Sequence, residues 1–345
     1  MDTCPVTPGA VSAWPLTFHA LAEPWPGPGW QALFAATWPS YRGWYLREGS
    51  AARPDLATCQ RMLQTHMPEL VPAWHRLCQL AGGGELGARM LTMYNPPAYL
   101  VGCSQAVHIG SDGPALVRNY DYAPLLCERV VFGSAFTGRR VAGMSDCLWG
   151  LLDGINDAGL AASLAFGGRR TVGTGFGIPL VVRYVLEVCE TADEARRTLA
   201  RLPVHMAYNV TVVDRAGEHF TAFLGPDREP GFSTQPYATN HQEHLDWPEQ
   251  AHATHSLERQ STLAHLIDDP SVDLEQLVAR FLSPPLYSTA YELGFGTLYT
   301  AIYSPASLTA EYRWPGSAWR HSVVDFVGGQ HHAVLGAAGV AQVPM

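Results

Sequence analysis

The feature of this sequence that most constrains its fold is the grouping of β-rich segments into uninterrupted runs. Apolar, β-rich segments dominate residues 99–166, 208–224 and 297–327. Helical periodicity dominates the stretches before and between them, at 53–93, 178–202 and 256–282. Within these runs we predict one strand over Leu125–Phe136, a helix over Ile178–Val188, and a second helix over Ala192–Leu202 with Thr191 as its N-cap. Strands that follow one another without crossover helices pair antiparallel, so this order predicts an α+β fold. Two such sheets with helices on their outer faces would form a four-layer αββα sandwich over most of the chain.

The first 50 residues lack this regular patterning. They are rich in Pro, Gly and Trp and weakly periodic, so we expect an irregular arm packed on the rest of the protein. From residue 53 the apolar spacing becomes helical, and Pro68 and Pro72 are expected to divide 53–80 into two helices. The N-terminal 100 residues therefore read as a largely helical segment that precedes the sheets.

Composition narrows the class of protein. The 345 residues carry a net charge of −9, from 31 acidic and 22 basic side chains, which disfavours a nucleic-acid partner. No apolar run reaches the roughly 18 residues that a membrane span needs, and the first residues show no secretory signal. The sequence therefore predicts a globular protein without a membrane partner, and it is compatible with a homo-oligomer.

The cysteines and histidines favour neither a disulfide framework nor a metal site. Seven cysteines are scattered without a Cys-x-x-Cys pair, a pattern typical of a reducing compartment, so we expect a cytoplasmic protein. Two His-x-x-His pairs within 241–255 lie in a polar, proline-containing stretch without further ligands. We therefore expect no metal and no cofactor.

The Gly102–Cys103 junction is the most informative point in the chain. Cys103 opens a predicted strand, and a Gly-Ser-Asp-Gly turn at 110–113 leads into a second strand. In an antiparallel hairpin the end of the second strand lies beside the start of the first, so Arg118 and Asp121 are expected next to Cys103. A cysteine in an apolar strand is most often a buried structural residue, and this neighbourhood is what distinguishes Cys103.

Four segments together resemble the motifs of a known family, in the order in which that family has them. They are the Gly-Cys-Ser junction at 102–104, Arg-Asn-Tyr-Asp-Tyr at 118–122, Gly-Ile-Asn-Asp-Ala-Gly-Leu at 154–160 and Ala-Thr-Asn-His at 238–241. The sequence is similar to N-terminal nucleophile hydrolases of the isopenicillin-N acyltransferase type, and more distantly to choloylglycine hydrolases and penicillin V acylases. The likeness extends from about residue 55 to about residue 330.

The resemblance implies a precursor that cuts itself. The Cys103 thiol would attack the Gly102 carbonyl, separating a pro-segment (residues 1–102) from a catalytic domain (residues 103–345). The freed α-amine of Cys103 titrates near pH ~8, so part of it is neutral at pH 7 and can serve as the base for its own thiol. We expect the pro-segment to stay bound, because its apolar helix faces would otherwise be exposed.

The resemblance also implies roles for individual residues. Asp121 would orient the α-amine, Arg118 would stabilise the thiolate and Asn240 would donate to the oxyanion. Asn156 matches a second asparagine of the pocket. The expected substrate-binding residues are Arg259, Tyr120 and Asn209.

The substrate implied is a small acyl amide, of the non-peptide linear kind, or an acyl thioester. The same residues serve water or an amine as acyl acceptor, so the sequence leaves amide hydrolase and acyltransferase both open. A glycine-rich stretch at 167–177 is expected to form a mobile rim of the site.

Two further functions remain open. One is a cysteine hydrolase that stays uncut and uses His108 or His241 as base. The other is a catalytically silent binding module with an unreactive Cys103.

Overall fold

The computed structural model describes residues 13–336, and over this range the chain forms sixteen β-strands and nine α-helices. The strands are β1 (Trp14–Ala22), β2 (Gly102–Gly110), β3 (Gly113–Tyr122), β4 (Val130–Ser134), β5 (Val141–Asp146), β6 (Gly150–Asn156), β7 (Ala161–Phe166), β8 (Tyr208–Val213), β9 (His219–Leu224), β10 (Gly231–Ser233), β11 (Tyr237–Ala238), β12 (Thr289–Ala290), β13 (Phe295–Ser304), β14 (Thr309–Trp314), β15 (Ser317–Ser322) and β16 (Gly329–Leu335). The helices are α1 (Pro28–Tyr45), α2 (Leu56–His66), α3 (Val71–Leu80), α4 (Glu85–Leu91), α5 (Ile178–Val188), α6 (Ala192–Arg201), α7 (Pro248–Ala253), α8 (Ser256–Asp268) and α9 (Leu274–Phe281).

The strands form two sheets that face each other. The larger has nine strands in the order β10-β9-β8-β7-β6-β5-β4-β1-β16, and the smaller has seven, β11-β2-β3-β13-β14-β15 with β12 beside β13. Helices α5 and α6 cover the outer face of the larger sheet, and α8 and α9 cover that of the smaller one. The αββα sandwich and the α+β class predicted from the strand runs are therefore confirmed.

The two predicted helices on the larger sheet show why the sequence reading succeeded there. Helix α5 has the predicted bounds, and its apolar residues are buried against β6 and β7. Helix α6 begins at its predicted N-cap, where the Thr191 hydroxyl accepts a hydrogen bond from the main-chain N–H of Glu194 at 3.3 Å. Local capping and periodicity were sufficient for both elements.

The prediction of an irregular arm for the first 50 residues is wrong over the part that the structure describes. Residues 14–22 form strand β1, with Leu16, Phe18 and Ala20 buried at alternate positions. Residues 28–45 form helix α1, whose Trp30, Phe34 and Trp38 rings stack in sequence. Alternation and four-residue spacing were both present, but the abundant Pro and Gly obscured them. The part of the chain before residue 102 thus contributes a strand as well as helices.

A second prediction, of one strand over Leu125–Phe136, is wrong in its first half. Residues 124–126 form a short 3₁₀ turn, and the Leu125 and Leu126 side chains are exposed. The strand begins only at Val130. Pro68 and Pro72 do separate two helices as predicted, but Pro72 lies in the first turn of α3, where its missing N–H is not needed.

Strand β1 is an interior member of the larger sheet. It pairs antiparallel with β16 over Trp14–Ala20 and parallel with β4 over His19–Ala22. Its buried Phe18 packs on Trp314 of the smaller sheet, with ring centroids 4.8 Å apart. The N-terminal segment is therefore part of the central sandwich and not an appendage.

A pair of partly buried acids fixes helix α1 to the ends of strands β4 and β5. The Tyr41 hydroxyl donates to Glu128 and lies 3.3 Å from an oxygen of Asp146, and it accepts from the main-chain N–H of Cys147 at 3.0 Å. Burial raises the pKa of Asp146 to about 7, and the nearby Glu128 acts in the same direction. Burial also raises the pKa of Glu128. The pair therefore retains protons that the unfolded chain would lose.

Stability is expected to fall as pH rises from about 4 to about 7, because over that range unfolding releases protons from these acids. In Asp146→Asn this part of the decline should disappear, so the difference in unfolding free energy between pH 5 and pH 7 becomes smaller than in the parent chain. Urea unfolding followed by tryptophan fluorescence measures it, with the exposed Asp325→Asn as the matched control. Parallel pH profiles for Asp146→Asn and its parent would contradict the expectation.

No helix within residues 13–336 is long and apolar enough to cross a lipid bilayer. Over the same residues, no group of three or more His, Cys, Asp and Glu side chains is arranged to hold a metal ion.

Candidate active site

The hairpin of β2 and β3 brings the junction and its predicted partners together. Cys103 pairs with Tyr120, and Gly102 pairs with Asp121. Successive side chains of a strand point to opposite faces, so Cys103 and Arg118 face the other sheet while Asp121 faces the helices. Cys103 is wholly buried. The sequence-based expectation that these residues are neighbours matches this geometry.

Arg118 contacts the Cys103 thiol directly. One guanidinium nitrogen, Nη2, lies 3.2 Å from Cys103 Sγ. The guanidinium carbon also lies 4.8 Å from the centroid of the Tyr120 ring. Tyr120, predicted to bind substrate, thus packs against Arg118 beside the thiol.

A residue that the sequence reading missed, Asp153, holds Arg118 in place. Arg118 Nη1 donates to Asp153 of β6, and both side chains are wholly buried. The Tyr299 hydroxyl donates to the same carboxylate at 2.7 Å, and the Tyr303 hydroxyl donates to its other oxygen. Asp153 is therefore a fully bonded buried anion that compensates the charge of Arg118.

The Cys103 thiol is protonated at neutral pH in this environment. Burial raises the pKa of Cys103 to about 11, although the charge of Arg118 acts in the opposite direction. A buried thiolate needs a positive partner to form, and Arg118 is the cation in contact with it. Arg118 thus partly offsets the unfavourable effect of burial on the thiolate, but burial dominates.

Asp121 lies on the helix side of the strand and forms a second buried ion pair. Arg259 of α8 donates to Asp121 Oδ2, and the Thr297 hydroxyl donates to Oδ1 at 2.6 Å. Arg259 was expected as a substrate-binding residue. In this structure it contacts Asp121 instead, and its Nε also donates to the Pro285 carbonyl at 2.9 Å.

Asn240 contacts the main chain on both sides of the junction. Its Oδ1 accepts from the Cys103 N–H at 2.8 Å. Its Nδ2 lies 3.2 Å from the Phe166 carbonyl and 3.5 Å from the Val101 carbonyl. The amide therefore spans from the residue before Gly102 to the nitrogen of the bond that would be cut.

The loop that carries Asn240 is held from two sides. Asn209 of β8 donates from Nδ2 to the carbonyls of Thr239 and His241, at 2.9 and 2.8 Å. Gly168, at φ +69°, packs so closely that a Cβ there would clash with the Asn240 carbonyl oxygen. Asn209, expected to bind substrate, therefore positions Asn240. The glycine-rich stretch was expected to form a rim of the site. At Gly168 it packs closely against the main chain of Asn240.

Asn156 is not brought to the site. Its Nδ2 donates to the carbonyls of Leu186 and Cys189, and its Oδ1 accepts from the N–H groups of Ala158 and Leu160. All four contacts are to main-chain atoms of a tight turn and a helix end, so the side chain fixes the β6–β7 turn to α5. The Asn-Asp-Ala-Gly pattern is that of a turn, and that role accounts for it.

Neither histidine of the alternative mechanism contacts the thiol. His241 bonds Ser256 through Nδ1 and Gln260 through Nε2, both at 2.8 Å. His108 bonds the Val272 carbonyl at 3.1 Å. It lies farther along β2 than Cys103 by about 17 Å at the usual strand rise. A Cys–His pair is therefore absent among the described contacts of Cys103.

The residues that sequence reasoning missed lie far from the junction in the chain. Asp153, Thr297, Tyr299 and Tyr303 come from β6 and β13. Asp153 carries the one weak signal, an acid within an apolar strand, Gly-Leu-Leu-Asp-Gly-Ile. Such a residue is rarely buried unless it is paired.

Comparison with known sequences places the chain within one family. The model of the acyl-coenzyme A:6-aminopenicillanic acid acyl-transferase family matches residues 109–319, more than half of the chain. The chain belongs to that family, which confirms the resemblance seen in its motifs. The match contains Arg118, Asp121, Asn240 and Arg259 but begins after Cys103.

Solved structures with a similar fold have low sequence identity. An N-acylethanolamine-hydrolyzing acid amidase ortholog of Caenorhabditis elegans is 17% identical and covers 59% of this chain and 93% of its own, with a TM-score of 0.45. For penicillin V acylase of Agrobacterium tumefaciens the values are 12%, 67%, 90% and 0.48. For a mutant conjugated bile acid hydrolase of Clostridium perfringens they are 10%, 66%, 96% and 0.47. No curated protein sequence matches the chain closely enough to count as a relative.

The buried Arg118–Asp153 pair should be strongly coupled. Asp153→Asn leaves Arg118 without its compensating charge, so we expect a loss of about 3–5 kcal/mol in unfolding free energy. The double variant with Arg118→Gln should lose less than the two single variants together. Urea unfolding, with Cys103→Ala present in every chain compared, measures both effects.

The control is the exposed pair of Asp193 and Arg197, whose side chains are 69% and 67% exposed. Asp193→Asn should cost at most about 1 kcal/mol. Equal losses at the buried and exposed pairs, or strict additivity at the buried pair, would contradict the coupling.

Proposed function

We propose that the chain is a precursor that cuts its own Gly102–Cys103 bond and then acts as an N-terminal cysteine amide hydrolase or acyltransferase. The observation that carries the proposal is the set of contacts on Cys103. Its N–H is held by Asn240 Oδ1 and its thiol by Arg118 Nη2, so the attacking atom and the leaving nitrogen are both fixed.

The first step is an acyl shift from nitrogen to sulfur. Cys103 Sγ bonds to the Gly102 carbonyl carbon, the bond from that carbon to the Cys103 nitrogen breaks, and the thiol proton ends on the new amine. Water then attacks the thioester, which releases Gly102 as a carboxylate and regenerates the thiol. Arg118 supports the step by stabilising negative charge on sulfur.

The close packing of Asp121 against residue 102 explains why a glycine precedes the cysteine. A Cβ on Gly102 would lie 3.1 Å from Asp121 Cβ and 3.4 Å from Asp121 Oδ2. A larger side chain would therefore press on the carboxylate that Arg259 and Thr297 hold in place. Gly102 keeps this contact free while the scissile carbonyl moves toward tetrahedral geometry.

Cleavage would convert the Cys103 nitrogen into the general base. As a free amine it titrates near pH ~8. It lies between Asn240 and Gly102, and Gly102 pairs with Asp121. In this role Asn240 Oδ1 orients the amine, and Nδ2, released from Val101, is available to donate to the oxyanion of a substrate. A donor of this kind typically lowers the activation free energy by about 3 kcal/mol.

The substrate class proposed is a non-peptide linear amide or an acyl thioester. Either acyl donor, the amide or the thioester, gives the same thioester on Cys103. Water converts that thioester into an acid, and an amine converts it into a new amide. Membership of an acyl-transferase family supports this class. The silent binding alternative is less well supported, because Arg118 and Asn240 both contact Cys103.

Intact mass spectrometry tests the self-cleavage. We expect two fragments, 1–102 and 103–345, from the wild-type chain, and a single uncut chain from Cys103→Ala. Cys147→Ala, a second buried cysteine, is the matched control and should still be cut. A wild-type chain that stays whole after long incubation would overturn the proposal, as would equal cutting of Cys103→Ala.

The two fragments are expected to stay together. Strand β1 is hydrogen-bonded on both sides by strands of the catalytic domain, so release of residues 1–102 would open the larger sheet. The Tyr41–Glu128 hydrogen bond adds a polar contact across the same boundary.

Size-exclusion chromatography of the cut protein should therefore give one peak that contains both fragments. In concentrated guanidinium chloride the fragments should separate, because no described disulfide joins them. Loss of the smaller fragment in native buffer would show that β1 is dispensable after cleavage.

A further inference from the structure

The segment just before the junction covers a cluster of buried polar rings. Tyr99 packs against His205 and Tyr208, with ring centroids 6.2 and 6.5 Å away, and the latter two rings lie 5.8 Å from each other. His205 and Tyr208 are wholly buried. These three residues form what we call the Tyr99 cluster.

Three polar atoms of the Tyr99 cluster have no partner within hydrogen-bond distance in the described part of the chain. Among residues 13–336, His205 Nε2, Tyr208 OH and Tyr99 OH have no hydrogen-bond partner. Buried polar groups are nearly always bonded, and an unbonded one costs free energy. Three such atoms on adjoining rings therefore indicate a place built for a polar group that the uncut chain does not supply.

The tautomer of His205 shows what that polar group must be. Its Nδ1 lies 3.2 Å from the Phe176 carbonyl, an acceptor only, so Nδ1 carries the proton. Burial lowers the pKa of His205 to about 4, so the ring is neutral at pH 7. Nε2 is then an acceptor, and beside it the Tyr208 hydroxyl can donate or accept. Together they suit a hydroxyl group.

The covering segment is anchored by hydrogen bonds at its start and makes few hydrogen bonds after that. Asn95 pairs with Gly175 through its main-chain N–H at 2.8 Å and its Oδ1 at 2.7 Å. Farther along, Arg47 donates to the Ala98 carbonyl. A cavity of about 400 Å³, lined by Tyr99, Leu100 and residues of the opposite wall, adjoins the segment. Cutting after Gly102 would leave residues 96–102 attached at one end only.

The segment also marks where an acyl group lies. In the proposed self-cleavage the first thioester on Cys103 carries the Gly102 carbonyl, so residues before Gly102 are the acyl part. A substrate thioester forms at the same sulfur and the same carbonyl position. Its acyl chain therefore follows the path of Val101 and Leu100 toward Tyr99, about ten main-chain atoms from the carbonyl.

We propose that, after self-cleavage, the place of the Tyr99 side chain takes the far end of an extended substrate acyl group. In this site Tyr208 OH and His205 Nε2 select an acyl chain that ends in a hydroxyl group. In the uncut chain the Tyr99 side chain occupies this site. The inference rests on the proposed function and names its acyl donor class.

The test compares two chromogenic anilides, ω-hydroxydecanoyl and decanoyl p-nitroanilide, on enzyme whose cutting has been verified by mass. We expect kcat/KM to favour the hydroxylated chain about tenfold, because the plain chain leaves both polar atoms unbonded. In Tyr208→Phe and in His205→Asn the ratio should fall toward one. Tyr184→Phe, whose hydroxyl bonds Glu69 and Arg201 elsewhere, should keep the wild-type ratio.

The outcomes separate this inference from the proposed function. A cut enzyme that hydrolyses neither anilide, or both equally, overturns the acyl site and leaves self-cleavage standing. A tenfold ratio that persists in both cluster variants shows that another group selects the hydroxyl, and also overturns it. A chain that is never cut overturns the proposed function and this inference together.

Discussion

The pairing of β2 with β3 is the constraint on which the rest of the site depends. The tight turn at Gly110–Gly113 sets a register in which Cys103 faces the larger sheet and Asp121 faces the helices. A slip by one residue would exchange these faces and bury Asp121 between the sheets. The two faces carry different buried ion pairs, Arg118 with Asp153 and Asp121 with Arg259, so the register is strongly specified. The chemistry at Cys103 therefore begins with the geometry of a hairpin.

The register also divides the charges of the site between the two faces of the smaller sheet. Arg118 and Asp153 form an ion pair between the sheets, and Asp121 and Arg259 form another beneath the helices. Each pair is wholly or almost wholly buried, and each has hydroxyl donors that complete its hydrogen bonding. Cys103 and its main-chain nitrogen lie in strand β2, between these two faces. The proposed nucleophile can gain or lose charge there while the surrounding charges remain balanced.

The sequence was informative wherever the determining contacts are local. The hairpin, helix α5 and the Thr191 cap follow from turn residues, periodicity and capping within a few positions. Asp153 could not be assigned, because its partner Arg118 is 35 positions away and in the other sheet. The Thr297 contact to Asp121 spans 176 positions. Asn156 shows the reverse difficulty, since a turn asparagine and a pocket asparagine look alike until their partners are known.

Strand β1 has a consequence for the order of events during synthesis. Its antiparallel neighbour is β16, and one hydrogen bond between them, from Thr17 to His332, joins residues 315 positions apart. The larger sheet is therefore complete only after residues 329–335 have left the ribosome, and contacts of such long separation form slowly. A chain cut before that closure would have to recruit its own first strand as a separate molecule. The fold thus favours an order of events in which β16 docks before the proposed cut at the junction.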